Sequence, residues 1–239
     1  PDKIEQNYII DFSEEENKLY VAHLAQVNRE LSQMVNMQST DKITILAMLT
    51  KLRQLCCEPR LVFENIHEPS SKLKACIHLI QTLKENKQKV LLFSSFTSML
   101  ELIADELYKE GISYYILTGA TNKEERRELV ERFQNDSTTV FLISLKAGGT
   151  GLNLTSAEAV IHYDPWWNQS AQNQATDRAY RIGQRKKVQV FKLVMKNSIE
   201  EKIQKLQLMK KELADMFVEN NETNLAKMSK EELLSLFEI

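Results

Sequence analysis

The apolar positions of this chain change their period twice. Ile4 to Asp11 alternates as a strand does, and Ser13 followed by Glu16 has the spacing of a helix-starting capping box. Leu19, Leu24, Val27, Leu31, Met34 and Val35 then recur at helical spacing, as do Ile45, Leu46, Leu49, Leu52 and Leu55, until Pro59 ends the run. His67-Glu-Pro-Ser-Ser71 gathers Pro, Ser and a fresh helix start, so a new domain is expected to begin near Ser70. Beyond it, amphipathic helices alternate with short continuous apolar runs. Helices are expected around Leu73 to Leu83, Met99 to Leu107 and Lys123 to Gln134, the last turning Leu129, Val130 and Phe133 inward. Strands are expected at Val90 to Phe93, Tyr114 to Leu117, Thr139 to Ser144, Ala159 to Tyr163 and Val188 to Val194. That alternation predicts an α/β fold, a parallel sheet sandwiched by helices. After Asn197, Ile199, Ile203, Leu206, Leu213 and Phe217 mark one long amphipathic helix, Asn220 to Thr223 a break, and Glu231 to Phe237 a short last helix. The expected divisions are 1–69, a strand and helical segment; 70–197, the sheet domain; and 198–239, the closing helices.

Composition narrows the classes of function. Lys plus Arg (31) nearly balance Asp plus Glu (33) for a net charge of -2, which argues against wholesale wrapping by nucleic acid while leaving room for a local basic face. Six Gly and four Pro fall far below the usual roughly 12% for the pair, which excludes collagen-like and loop-dominated designs. No stretch approaches the roughly 18 apolar residues of a membrane span, so no membrane partner is expected. The three cysteines (Cys56, Cys57, Cys76) form no Cys-x-x-Cys pair and point to a reducing compartment. The four histidines lack the i, i+4 pairing of a helical metal site, and no metal is expected on this chain alone.

Candidate chemistry concentrates in two segments that follow predicted strands. Ser144-Leu-Lys-Ala-Gly-Gly-Thr-Gly-Leu-Asn-Leu-Thr155 holds half the glycines of the chain. Serial glycines at a strand's carboxyl end expose N–H groups to phosphate oxygens, and Lys146 adds charge there. Neither Gly-x-Gly-x-x-Gly nor a P-loop is present, so this is not a primary phosphate cradle. Asp164-Pro-Trp-Trp-Asn168 leads into a segment expected to be helical from its Asn168 cap to Gly183. On such a helix Gln174, Arg178 and Arg181 share one face, and two guanidinium groups held together favour phosphate. Trp166 and Trp167 suit packing or an interlobe contact better than base stacking, and Lys84, Lys87 and Lys89 read as solvated.

Taken in order, Lys89-Val-Leu-Leu-Phe-Ser-Ser-Phe-Thr97, Thr118-Gly-Ala-Thr121 with Arg126, the Lys146 to Leu154 glycine run, Asp164-Pro-Trp-Trp-Asn168 and Asp177-Arg-Ala-Tyr-Arg-Ile-Gly-Gln184 resemble the helicase motifs of the SWI/SNF family of ATP-dependent DNA translocases. The similarity continues upstream through Leu52-Arg-Gln-Leu-Cys-Cys-Glu-Pro-Arg-Leu61 and downstream into the helix after Ser198, which resembles the family's bracing segment. The resemblance implies the carboxy-terminal RecA-like lobe of such a motor. It implies that Arg178 and Arg181 are arginine fingers reaching the ATP γ-phosphate bound by the first lobe. It further implies that Gly149, Gly151 and Asn153, with Gln174, face the nucleotide. Ser94, Thr118, Gly119, Ser144 and Lys146 match positions that hold the DNA backbone. ATP is then the cofactor, with Mg held mainly by the first lobe. The implied partners are double-stranded DNA, the amino-terminal RecA-like lobe and a DNA-bound protein being remodelled, in an intracellular, DNA-associated setting. Gln169 and Tyr180 depart from the residues frequent in the family. Asp105-Glu106 sits in a helical pattern and is assigned to a solvated face, not to magnesium. Without P-loop or acidic metal motif, this chain alone is expected not to hydrolyse ATP. The competing reading is a noncatalytic DNA- or protein-binding scaffold that keeps the RecA-like fold.

Overall fold

The computed structural model describes residues 2–37, 41–147, 151–217 and 229–237, with side chains in the long closing helix described as far as Lys210. The elements follow in order β1 (Lys3–Ile10), α1 (Glu14–Asn36), α2 (Lys42–Cys57), a short 3-10 turn (Pro59–Leu61), α3 (Ser71–Glu85), β2 (Val90–Ser94), α4 (Thr97–Lys109) and β3 (Tyr114–Leu117). Then come α5 (Lys123–Asn135), β4 (Val140–Ser144), β5 (Ala159–His162), α6 (Gln169–Thr176), β6 (Val188–Met195), α7 (Ile199–Phe217) and α8 (Lys230–Ser235). The expected break at Asn220 to Thr223 and the side chains of Leu213 and Phe217 lie outside the described residues.

Two compact units result, one of Pro1–Ile9 with Leu73–Val194, the other of Ile10–Lys72 with Met195–Ile239. The first holds the sheet, in the order β1-β6-β5-β2-β4-β3. Central β2 runs parallel to both β4 and β5, pairing Ser94 with Ser144 and Phe93 with His162, while β3 is parallel to β4 and β6 to β5. Every residue of β2, β4 and β5 is buried, which is why these strands read as unbroken apolar runs: helices cover both faces. Phe133 from α5 meets Phe141 edge-on at 5.1 Å within this core, with Leu129 and Val130 packed beside it. Strand β1 takes the sheet edge, a place its local sequence could not specify.

Lys89 corrects an expectation of the sequence reading. It is half-buried, lies 4.3 Å from the centroid of the Phe133 ring and donates to the carbonyls of Phe133 and Asp136 at the end of α5. The negative end of that helix draws the ammonium in, whereas Lys84 and Lys87 stay exposed. Asp105 is exposed, and Glu106 bonds Lys109 on its own helix at 2.8 Å.

The second unit is helical. Ser13 caps α1 through the Glu16 N–H at 3.2 Å, but the Glu16 carboxylate completes no local box: it accepts from the backbone and hydroxyl of Ser71 instead. Lys72, fully buried, donates to both oxygens of Glu200 at 2.7 and 2.8 Å, and Glu200 also accepts from the Met195 N–H. Tyr20 receives the Ile199 N–H at 2.8 Å, so the start of α7 is held by polar bonds inside its own unit.

Candidate functional site

The segments that follow β2, β3, β4 and β5 leave the carboxyl edge of the sheet. The chain departs from β2 toward β3 on one side and from β5 toward β6 on the other, and ligands of open α/β sheets bind where connections diverge in this way. Asp164 staples that point. Ser94 Oγ donates to Asp164 Oδ1 at 2.6 Å, the Ser95 N–H reaches both carboxylate oxygens at 3.2 and 3.3 Å, and the Ser95 hydroxyl adds a further bond. Ser94, matched by resemblance to a DNA contact, is therefore wholly buried with its hydroxyl engaged in holding two strand ends together. Ser144 is also buried, its Oγ accepting the Ala147 N–H at 3.3 Å. Thr118 is half-buried and bonds within its own turn, to Ala120 N–H and Thr121 Oγ1. Lys146 and Gly119 are the exposed members of the set, and an added Cβ at Gly119 would meet open space.

Asn168 caps α6 as expected, accepting the Ala171 N–H at 3.3 Å, but the helix stops at Thr176 and does not run on to Gly183. Arg178 and Arg181 thus sit in the turns after the helix, while Gln174 stays exposed on α6. The turns beyond the helix are held from outside it. Leu154 N–H donates to the Arg178 carbonyl at 3.1 Å, and Gln184 Nε2 to the Ala179 carbonyl at 3.1 Å. On the sheet side, Thr176 Oγ1 donates to the Gln172 carbonyl, so at 2.8 Å from His162 Nε2 it accepts the ring proton. Burial, and then the charge of Lys192, lowers the His162 pKa to about 3 and keeps the ring neutral.

Arg178 is 8% exposed, and its buried Nε finds no hydrogen-bond partner among the described residues. Burial first, then the charge of Arg181, pushes its guanidinium below the usual arginine range, with Asp177 pulling the other way. A buried guanidinium nitrogen left unsatisfied is costly, and an anionic oxygen would relieve both the missing bond and the repulsion between cations. Arg181 is exposed and donates from Nη1 to the Leu152 carbonyl at 3.1 Å, which fixes its direction.

Gly149 and its neighbour Gly148 lie outside the described residues. Gly151 adopts φ +52, which a side chain would strain, and lines with Asn153 a cavity of about 650 Å³ that also takes Lys123, Arg126 and Arg127 from the start of α5. The sequence reading missed the Lys123 and Arg127 side of this cavity. It also missed the architectural parts of His162 and Gln184, although Gln184 closes one of the quoted motifs. Trp166 packs against the apolar core. Among the described residues no group of three His, Cys, Asp or Glu side chains could hold a metal ion, and no helix is long and apolar enough to cross a membrane.

Fold and site define the class: a RecA-like helicase carboxy-terminal lobe, and residues 71–183 match the helicase conserved C-terminal domain. Superposition on the Sulfolobus solfataricus SWI2/SNF2 ATPase C-terminal domain gives a TM-score of 0.78 at 29% identity, covering 98% of this chain and 98% of that one. The SWI2/SNF2 ATPase core of the same organism in complex with dsDNA gives 0.78 at 32% identity over 99% of this chain and 50% of that chain. A putative ATP-dependent helicase/translocase of Bacillus subtilis, YwqA, is 36% identical over 245 residues, covering 99% of this chain and 26% of that protein. The chain thus carries the helicase conserved C-terminal domain and shares the fold of SWI2/SNF2 ATPase C-terminal domains. It spans about a quarter of the length of the curated relatives it matches.

Proposed function

We propose that this chain is the second motor lobe of an ATP-dependent double-stranded DNA translocase. ATP is held by the amino-terminal lobe, with magnesium mainly on that side, and Arg178 and Arg181 reach its γ-phosphoryl group as charge moves onto the leaving and transferring oxygens. The observation that carries this reading is Arg178: a nearly buried cation in the turn after α6, with a guanidinium nitrogen that lacks an acceptor among the described residues. Arg181, aimed by its bond to the Leu152 carbonyl, supplies the second charge. Gly151, Asn153 and Gln174 are proposed to face the nucleotide with Gly149. Lys146, Gly119 and Thr118 are proposed to face the DNA backbone, and the buried Ser94 and Ser144 to shape the loops that present them. Each cycle of cleft closure and opening then shifts that grip along the duplex, a task suited to an intracellular, DNA-associated protein that acts on other DNA-bound proteins.

The test is DNA-stimulated ATP hydrolysis by the protein carrying both lobes. Arg178→Ala and Arg181→Ala are each expected to lower turnover by roughly 10³-fold or more with ATP binding retained. Unchanged turnover in both variants sinks the assignment. The 239-residue chain alone, lacking a P-loop, is expected to hydrolyse no ATP.

A further inference from the structure

The arginine turn and the segment after the glycine run are bonded into one piece. Leu154 N–H donates to the Arg178 carbonyl at 3.1 Å, and Arg181 Nη1 to the Leu152 carbonyl at 3.1 Å. Between them lies Gln184, 8% exposed. Its Nε2 donates to the carbonyls of Thr155 at 3.0 Å, Ala157 at 2.9 Å and Ala179 at 3.1 Å, and its Oε1 accepts the Lys186 N–H at 3.1 Å. Two amide hydrogens serve three carbonyls, so the nitrogen is fully engaged and has nothing left for a ligand. Arg178 Nε, by contrast, has no bond among the described residues, so the direction of that side chain depends on how its backbone is held. Carbonyls 178 and 179 are held from residues 154 and 184.

We infer that Gln184 is a positioning residue: it rivets the arginine turn to residues 155–157 and thereby aims Arg178 and Arg181 at the transferring phosphoryl group. The inference rests on the reading of the two arginines proposed above. A misplacement of about 1 Å in a positioning group is enough to cost about 10²-fold in a reaction of this kind. The loss falls on the transition state and spares the bound ground state, because Gln184 itself touches no nucleotide.

A purely structural role would lower the folded fraction, and with it apparent turnover, but would leave the affinity of the folded molecules unchanged. Affinity is therefore the deciding measurement. In the full-length protein with both lobes, dissociation constants are measured for ADP alone and for ADP with aluminium fluoride, whose planar group mimics the phosphoryl in flight. Gln184→Met, which keeps the volume and removes the amide, is expected to weaken the aluminium fluoride complex by about 10-fold or more and to leave ADP within about twofold. Gln184→Glu keeps an acceptor for Lys186 and sets carboxylate oxygens against three carbonyls. It is expected to weaken the analogue at least as much, and it carries the test should the Met variant not fold. Wild-type affinity for the analogue in either Gln184 variant, beside a weakened Arg178→Ala, overturns the inference and leaves the proposed function standing. Wild-type affinity in Arg178→Ala and Arg181→Ala as well overturns the reading of the arginines themselves.

Discussion

His162 offers a stability measurement that depends on one buried ring. It is 1% exposed, stacks on Phe93 at 5.7 Å, gives its Nε2 proton to Thr176, and has Nδ1 buried without a partner among the described residues. Burial, ahead of the Lys192 charge, lowers its pKa from the usual 6.5 to about 3, while the unfolded chain titrates near the usual value. The neutral ring thus contributes its full stability above pH 6.5, and that stability is lost as pH falls from 6.5 toward 3, because only the unfolded state takes up the proton. At 1.36 kcal/mol per pKa unit, the loss reaches about 2 kcal/mol near pH 5. Burial also lowers the His23 pKa, so acidification acts on a second ring as well. The comparison is therefore with His162→Gln, whose amide can still donate to Thr176 and does not titrate. Urea denaturation of both proteins near neutrality and near pH 5 should show the wild type losing about 2 kcal/mol more than the variant on acidification. Equal losses in the two would refute the buried neutral ring as the source.

Two further outcomes test the packing. Glu200→Ala strands the fully buried Lys72 ammonium and should cost about 3–5 kcal/mol by chemical denaturation, whereas Lys72→Met combined with Glu200→Leu should cost clearly less, since no charge is left unpaired. Phe133→Ala removes the ring that meets both Phe141 and the Lys89 ammonium and should cost about 3–5 kcal/mol, read from the shift in the denaturation midpoint at unchanged slope.

Features set by local periodicity were legible in the sequence. Val90 to Phe93 reads as a buried strand because both its neighbours and both faces are covered, and Asn168 as a cap because the cap bond spans three residues. Features decided by distant partners were not. Beyond the end of α6, Leu154 and Gln184 bond the carbonyls of Arg178 and Ala179, so the segment through Arg181 does not continue the helix its pattern suggests. Glu16 looked like half of a capping box and bonds Ser71, 55 positions away. Lys89 looked solvated and caps a helix end 44 positions on. The motif arginines were found by type and order, but the carbonyls that aim them belong to residues with no chemical signature of their own.

Strand β1 waits for its partner. Glu5 meets Lys192 of β6, 187 positions later, at 3.3 Å. On a ribosome adding about 5–20 residues per second, the strand emerges about 10–40 s before the neighbour that completes its pairing. An apolar strand left idle that long would seek other edges. Here four consecutive positions of the strand, Ile4 to Asn7, are exposed even after folding, and the charges of Lys3 and Glu5 flank Ile4, charges being what natural edges use to stay soluble. The charged and amide side chains at Lys3 and Glu5 to Asn7 make β1 a poorer template for other edges before there is a sheet to join.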